Sequence, residues 1–202
     1  MKLYFSPGAC SLSPHIVLRE AGLPFELEKV DIRAHQTAQG ADYYAINPKG
    51  YVPALELDGG QVLTEGPAIV QYIADQKPES KLAPAAGSLE RYRLMEWLTF
   101  IGTELHKTYS PLFNPAVTPE AKQAALDKLN KRYAFVAKGL EGKSFLLGET
   151  FSAADAYLFV MLNWSRRLGP EMSTWPALKA FFERVLARPS VKAALEAEGL
   201  KA

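Results

Sequence analysis

The strongest constraint on the fold of this 202-residue chain is a change of texture at residues 77–88. That stretch, KPESKLAPAAGS, carries two prolines, a glycine and small or polar residues, the composition of a linker. Ahead of it, short strand-like runs alternate with helical pieces. Lys2–Phe5 and Glu26–Asp31 read as strands, and 54–57 and 61–63 flank Asp58-Gly59-Gly60, a hairpin signal. Helical pieces fall at 12–21, closed by Gly22, and at 67–74, with an irregular or helical piece between the second and third strands. Strands joined through helices pair in parallel and a hairpin pairs antiparallel. The spacing therefore predicts a mixed four-stranded sheet in βαβαββα order.

Behind the linker every periodic stretch is helical. Leu94, Trp97, Leu98, Ile101 and Leu105 form one stripe along 89–107. Thr118-Pro119-Glu120 opens a second helix, on which Leu126, Leu129, Tyr133, Val136 and Leu140 repeat at threes and fours. Ser152 and Asp155 form a near-capping box ahead of AYLFVMLNW, which is apolar all round and reads as a buried central helix. Trp175-Pro176 opens another helix that stops before Pro189, and Ser190 starts the last, ended by Gly199. The plan is α/β plus all-α: one domain over 1–80, then an all-helical domain over 88–202.

Lys+Arg total 23 and Asp+Glu 22, a net charge of +1. A near-neutral chain has no long-range field to gather polyanions, which argues against nucleic acid as a partner. The longest apolar run, Ala156 to Leu162, is far short of the ~20 residues that span a bilayer, so no membrane segment is expected. The N-terminus has no stretch suited to a secretory signal, and the chain reads as cytoplasmic. It has one cysteine, so no internal disulfide can form and a cysteine-based zinc site is excluded; no metal is expected.

That cysteine, Cys10, lies where the chain leaves the first strand, turns at Pro7-Gly8 and enters the first helix; Pro14 suits a first helical turn. Cys10 or Ser11 then stands at the N-cap. A sulfur there would face unpaired N–H groups and the positive end of the helix dipole, both of which favour an anion. A free cysteine also serves as a small buried hydrophobe, and Ser11 as a plain cap. Cys10-Ser-Leu-Ser13 has the outline of a redox CxxC with its second cysteine replaced. The same helix end would equally serve a thiolate that belongs to a ligand.

Longer stretches carry a resemblance. MKLYFSPGACSLSPHIVLREAGLPFELEKVDI, NPKGYVPALELDGG and LTEGPAIVQYI, followed by TELHKTYSPLF, FSAADAYLF and WPALKAFFERVLARPSVKAAL, closely resemble bacterial glutathione S-transferases of the beta class. The resemblance covers essentially the whole chain. It implies a thioredoxin-like first domain, an all-helical second domain, a glutathione site in the cleft between them, and a cytoplasmic homodimer. It also implies the reaction: addition of the glutathione thiolate to an electrophilic, mostly hydrophobic small molecule, with glutathione as co-substrate.

The same resemblance assigns residues. Val52, between Tyr51 and a cis Pro53, would pair with the cysteinyl unit of glutathione. Glu65 would take the γ-glutamyl amine, and N–H groups opening the next helix its carboxylate. Position 66 usually carries a hydroxyl or carboxylate in this class; here it is Gly66, so the backbone must carry that contact. The lysine common at position 35 is His35, with Arg33 nearby to compensate. Thr99, Thr103 and His106, spaced by four and three, share one helix face. With Glu104 and Lys107 they would line the site, the histidine pointing at the sulfur; Thr99 stands where asparagine is common. The sulfur's partners would be Cys10, the Ser11 hydroxyl or nearby N–H groups, and His106. Tyr109, Phe113 and Trp164 would border the electrophile. His15 is given no role. Because Cys10 in this class also forms a mixed disulfide with glutathione, thiol-disulfide exchange or peroxidase activity is the alternative. A non-catalytic ligand-binding protein on the same fold is the other.

Overall fold

The computed structural model describes residues 1–201. Two compact units emerge: Met1–Ala83 together with the segment from Ala187 onward, and Pro84–Leu186. The helix at the C-terminal end therefore belongs to the first unit, whereas the sequence reading carried the helical domain on through 202.

The first unit is built on a sheet of strands β1 (Lys2–Phe5), β2 (Glu26–Asp31), β3 (Gln36–Thr37), β4 (Ala54–Glu56) and β5 (Val62–Thr64), in the order β3-β2-β1-β4-β5. β1 and β2 are parallel, and the other pairs are antiparallel, with Leu3 opposite both Leu27 and Leu55. The sheet is mixed as expected but has five strands, not four. The extra one, β3, is a two-residue edge pairing that turns back on β2, too short to leave a period-2 signal. Helices α1 (Leu12–Ala21), the single turn α2 (Tyr43–Ile46) and α3 (Gly66–Gln76) connect the strands. α1 stops at Gly22, whose φ of 64° lets its N–H turn back to the Leu18 and Arg19 carbonyls.

Side chains alternate across β1. Tyr4 joins Val30, Tyr43, Val52 and Ala54 in one buried cluster. Leu3 and Phe5 are buried on the opposite face, where the Phe5 ring meets His15 of α1. Leu12, Ile16, Val17 and Leu18 of α1 and Ile69, Val70 and Ile73 of α3 are fully buried, each contributing about 1.5–3 kcal/mol relative to exposure.

The last helix, α9 (Pro189–Ala197), is tied to α1 by polar groups at both ends. At its start, the Arg188 guanidinium forks onto the Glu20 carboxylate at 2.6 and 2.8 Å, and the Ser190 hydroxyl donates to the same group. Burial alone would raise the Glu20 carboxyl; Arg188 and Ser190 outweigh it and hold it below the usual range. Past its end, Glu198 accepts from His15 Nδ1 at 2.8 Å and from the Gly8 N–H at 2.8 Å, and Arg19 Nε donates to His15 Nε2 at 2.9 Å. The Arg19 bond leaves the proton of a neutral His15 on Nδ1, the nitrogen that donates to Glu198. The side chains of His15 and Glu198 are both wholly buried.

In the second unit, α7 (Ala153–Leu168) is the centre: every residue from Ala153 to Leu162 is buried. The capping box is complete, with Asp155 accepting from the N–H and hydroxyl of Ser152 and from the Leu146 N–H. Around it lie α4 (Leu89–Phe100), α5 (Ser110–Phe113), α6 (Pro119–Gly139) and α8 (Pro176–Leu186). The helix expected over 89–107 is not regular. It passes into a π turn at Ile101–Leu105 and a tight 3₁₀ turn at His106–Tyr109. Gly102 is a poor helix former, and the Thr103 and Thr108 hydroxyls donate back to the Thr99 and Glu104 carbonyls, a bond that bends helices.

Candidate functional site

In the first unit, the loop from β1 to α1 carries Cys10. Ser11 precedes the helix with helical angles and caps nothing with its side chain. It is fully buried, and its hydroxyl donates to the Ser6 carbonyl and accepts from the Ser6 N–H. The Ser11 hydroxyl closes the loop on Ser6, where the sequence reading gave it to a sulfur. The N–H groups of Leu12 and Ser13 are bonded to the Ala9 and Cys10 carbonyls, so they offer no cradle for an anion. The half-buried Cys10 thiol donates to the Val52 carbonyl at 3.3 Å.

Val52 precedes Pro53, and the bond between them is cis. The segment is held from behind: the Tyr43 hydroxyl and the Asn47 amide both donate to the Tyr51 carbonyl, at 3.1 and 2.7 Å. Burial pushes the Tyr43 phenol up to about 12, so it remains a donor at neutral pH. Asn47 and Tyr43 have no part in the sequence reading, although Asn47 opens the NPKGYVP stretch.

Glu65 sits just before α3 with φ at 71°, a conformation non-glycine residues seldom adopt. Lys49 Nζ donates to its carboxylate at 2.6 Å and to the Thr64 hydroxyl at 3.0 Å, and the Tyr51 hydroxyl donates to the same Glu65 oxygen at 2.6 Å. Glu65 raises both Lys49 and Tyr51 above their usual values. Lys49 is a further residue the sequence reading passed over. Gly66 is the first residue of α3. Pro67 has no N–H, and the Ala68 and Ile69 N–H groups bond the Glu65 carbonyl, so any backbone contact to an anion here falls to the Gly66 N–H.

His35 lies at positive φ, stacked on Tyr44 at 4.4 Å between ring centroids. Its Nδ1 donates to the Gly50 carbonyl and its Nε2 bonds the Tyr44 hydroxyl, both at 3.1 Å. Both ring nitrogens are engaged, so the contact expected from the lysine this position often carries is not offered as placed. Arg33 is exposed.

In the second unit, the π turn removes the regular spacing that would align Thr99, Thr103 and His106. Thr99, Thr103 and Lys107 are exposed. Glu104 is drawn to α6, paired with Arg132 at 2.7 Å and Lys128 at 3.4 Å; these cations hold its carboxyl below the usual range. His106 is half-buried, its Nδ1 2.6 Å from the Tyr157 hydroxyl and its ring edge-on to Trp164 at 5.1 Å. Trp164 also meets Tyr109 at 5.5 Å and Phe113 at 4.9 Å. These four rings form one cluster, with Phe113 51% exposed at its outer edge. Among the described residues no His, Cys, Asp or Glu group of three or more is placed to hold a metal, and no helix is long and apolar enough to cross a membrane.

Comparison with known proteins gives the family. Residues 8–76 match the model of the glutathione S-transferase N-terminal domain, and 100–189 that of the C-terminal domain. The chain is 45% identical over 201 residues to glutathione S-transferase GstA of Escherichia coli O157:H7, covering all of both chains. Among solved structures, it is 60% identical to BphK, a bacterial GST in a ternary complex, with a TM-score of 0.98 over 99% of this chain and all of that one. It is 52% identical to the bacterial beta-class glutathione S-transferase of Sphingomonas chungbukensis, with a TM-score of 0.96 over the whole of both chains. Matches of this extent, on a fold with the sheet and helices described above, show that the chain belongs to the glutathione S-transferase family and is one of its bacterial beta-class members.

Proposed function

We propose that the first unit holds glutathione with its sulfur beside Cys10. Val52 pairs with the cysteinyl unit, Glu65 with the γ-glutamyl amine, and the Gly66 N–H with the γ-glutamyl carboxylate. The protein is a glutathione S-transferase, with glutathione as co-substrate. The observation that supports this residue assignment is the contact between the Cys10 thiol and the Val52 carbonyl, beside the cis bond to Pro53. A carbonyl has two lone pairs, so the Val52 oxygen can accept from Cys10 and from a peptide N–H at once. In the second unit we assign His106 a part in conjugation and Trp164, Tyr109 and Phe113, clustered with it, the wall against a hydrophobic electrophile. Thr99, Thr103 and Lys107 are assigned polar contacts, and Glu104 serves by anchoring Arg132 and Lys128. The protein acts as a cytoplasmic homodimer.

Magnitudes decide what such a site must do. Lowering a thiol pKa by ~2 from about 8.5 raises the thiolate fraction near neutral pH by more than about tenfold, yet nucleophilicity falls with a slope of ~0.4–0.5 and cancels much of that. Ionisation alone contributes little, so the larger share comes from holding the two reactants together.

Cys10 supports a second activity, disulfide exchange. Its thiolate attacks the glutathionyl sulfur of a mixed disulfide, forming Cys10–S–S–glutathione and releasing the other thiolate. A free glutathione thiolate then attacks that glutathionyl sulfur, giving oxidised glutathione and returning Cys10. Cys10→Ala separates the two: exchange with a glutathionyl disulfide is lost, while conjugation to a chloronitrobenzene stays measurable. Loss of conjugation with glutathione still bound would reverse the assignment and make Cys10 the residue that serves the conjugating sulfur.

A further inference from the structure

The histidine at position 35 anchors the segment that presents Val52. Three consecutive carbonyls of that segment accept from side chains: Tyr51 from Tyr43 and Asn47, Val52 from Cys10, and Gly50 from His35 Nδ1 at 3.1 Å. His35 belongs to a different loop, between β2 and β3, so its bond ties two loops together. A carbonyl only accepts, so the proton of a neutral His35 lies on Nδ1, and Nε2 accepts from the Tyr44 hydroxyl, 3.1 Å away. The Tyr44 ring stacks on the imidazole, with centroids 4.4 Å apart and planes at 31°. The same ring lies over Gly50, where a Cβ would stand 2.5 Å from one of its carbons. Gly50 also has φ at 72°, the left-handed region that glycine enters freely. The loop that carries the imidazole is itself fixed. The Asp31 carboxylate accepts from the Arg33 and Ala34 N–H groups at 2.8 and 3.0 Å, and the His35 carbonyl accepts from the Tyr43 N–H at 2.9 Å. Every member of this group lies in the first unit.

We propose that His35 is a positioning residue for glutathione: with Tyr44 and Gly50 it clamps the edge 50–52 against which the cysteinyl unit pairs. An edge anchored before glutathione arrives needs no ordering on binding, and that shows as tighter binding. A lysine at this position would not do the same. An ammonium can donate to the Gly50 carbonyl but cannot accept from Tyr44, and it offers no ring to stack. The inference rests on the reading of Val52 as the cysteinyl partner and deepens it by naming what holds that edge.

The test is His35→Phe, which keeps a ring against Tyr44 and removes both hydrogen bonds. With a chloronitrobenzene as electrophile, KM for glutathione is expected to rise about fivefold to tenfold, the order of one to two net hydrogen bonds. The value of kcat is expected to stay within about twofold, because the clamp acts alike on ground and transition states. His35→Lys should raise KM by a similar factor. Tyr44→Phe takes one hydroxyl from a half-exposed residue, keeps the fold, and should raise KM about threefold. In the His35→Phe background the Tyr44 substitution should cost nothing further. The reading of Val52 is tested apart, in the wild-type protein, by amide spectra: added glutathione should shift the Val52 N–H signal. An unshifted Val52 signal overturns that reading and the clamp with it. A shifted Val52 signal beside an unchanged KM in His35→Phe or Tyr44→Phe overturns the clamp alone. A His35→Lys variant with KM at or below the wild-type value also overturns it, since position 35 would then act by touching glutathione.

Discussion

Replacing Glu198 by alanine tests whether the C-terminal segment holds the Cys10 loop. The carboxylate is wholly buried and accepts from the Gly8 N–H and from His15 Nδ1. Alanine removes the acceptor of the wholly buried His15 Nδ1 and an acceptor of the part-buried Gly8 N–H. A buried donor left without its acceptor costs about 1–3 kcal/mol, and the loss of the Gly8 bond adds to it. Together they approach the ~3–5 kcal/mol lost when one partner of a buried polar pair is removed. At ~2–4 °C per kcal/mol for a chain of this size, the melting temperature should fall by roughly 6–20 °C. Thermal unfolding followed by circular dichroism at fixed protein concentration reads the shift. Glu198→Gln keeps one acceptor oxygen and should fall between wild type and alanine. A fall under about 2 °C for Glu198→Ala would refute the reasoning, since the buried His15 donor would then have found another partner at no cost.

Two further predictions concern charge. Lys49→Met removes the ammonium that holds Glu65 and should raise KM for glutathione by no more than about fivefold, the ceiling for an exposed ion pair. Steady-state kinetics with glutathione varied would show it, and a rise well beyond tenfold would mean that Lys49 touches glutathione itself. Burial raises the Asp155 carboxyl from 3.8 to about 6 despite the three donors it accepts from. A native pKa above the unfolded one means that its stabilisation is full below about pH 4 and is lost as pH climbs to about 6, a decline of roughly 3 kcal/mol. Urea unfolding of wild type and Asp155→Asn between pH 4 and 7 should diverge over that window; parallel curves would remove the effect.

Much of the fold is legible in local signals. Gly22 stops α1, Asp58-Gly59-Gly60 turns β4 into β5, and Thr118 caps α6 because each effect acts within a few residues. What escapes is non-local. The periodicity of α9 shows which of its faces is apolar but not what covers it, so its place in the first unit is invisible until Glu20 and Arg188 are seen together, 168 residues apart. His15 has no sequence signal because its partner, Glu198, lies 183 residues away. The π turn escapes because the stripe Leu98, Ile101, Leu105 suits a regular helix, while the irregularity comes from hydroxyls bonding back to carbonyls. In the candidate site, Cys10 stands out by its position between a turn and a helix start, and Val52 and Glu65 only through the family resemblance. The residues behind them, Tyr43, Asn47, Lys49 and Tyr157, do so only through side-chain geometry.

The allegiance of α9 also orders events in time. The bond from the Gly8 N–H to Glu198 closes across 190 residues, and the whole of Pro84–Leu186 lies between its partners. Translation at ~5–20 residues per second puts roughly 5–20 s between the emergence of residue 83 and the emergence of the segment that completes its unit. Throughout that interval the nascent first unit lacks its final helix, and the buried faces of α1, with His15 and Glu20, stand open to water and to chaperones. A ribosome-stalled chain ending before residue 187 should therefore be more readily cleaved by protease in the Cys10 loop than the released protein.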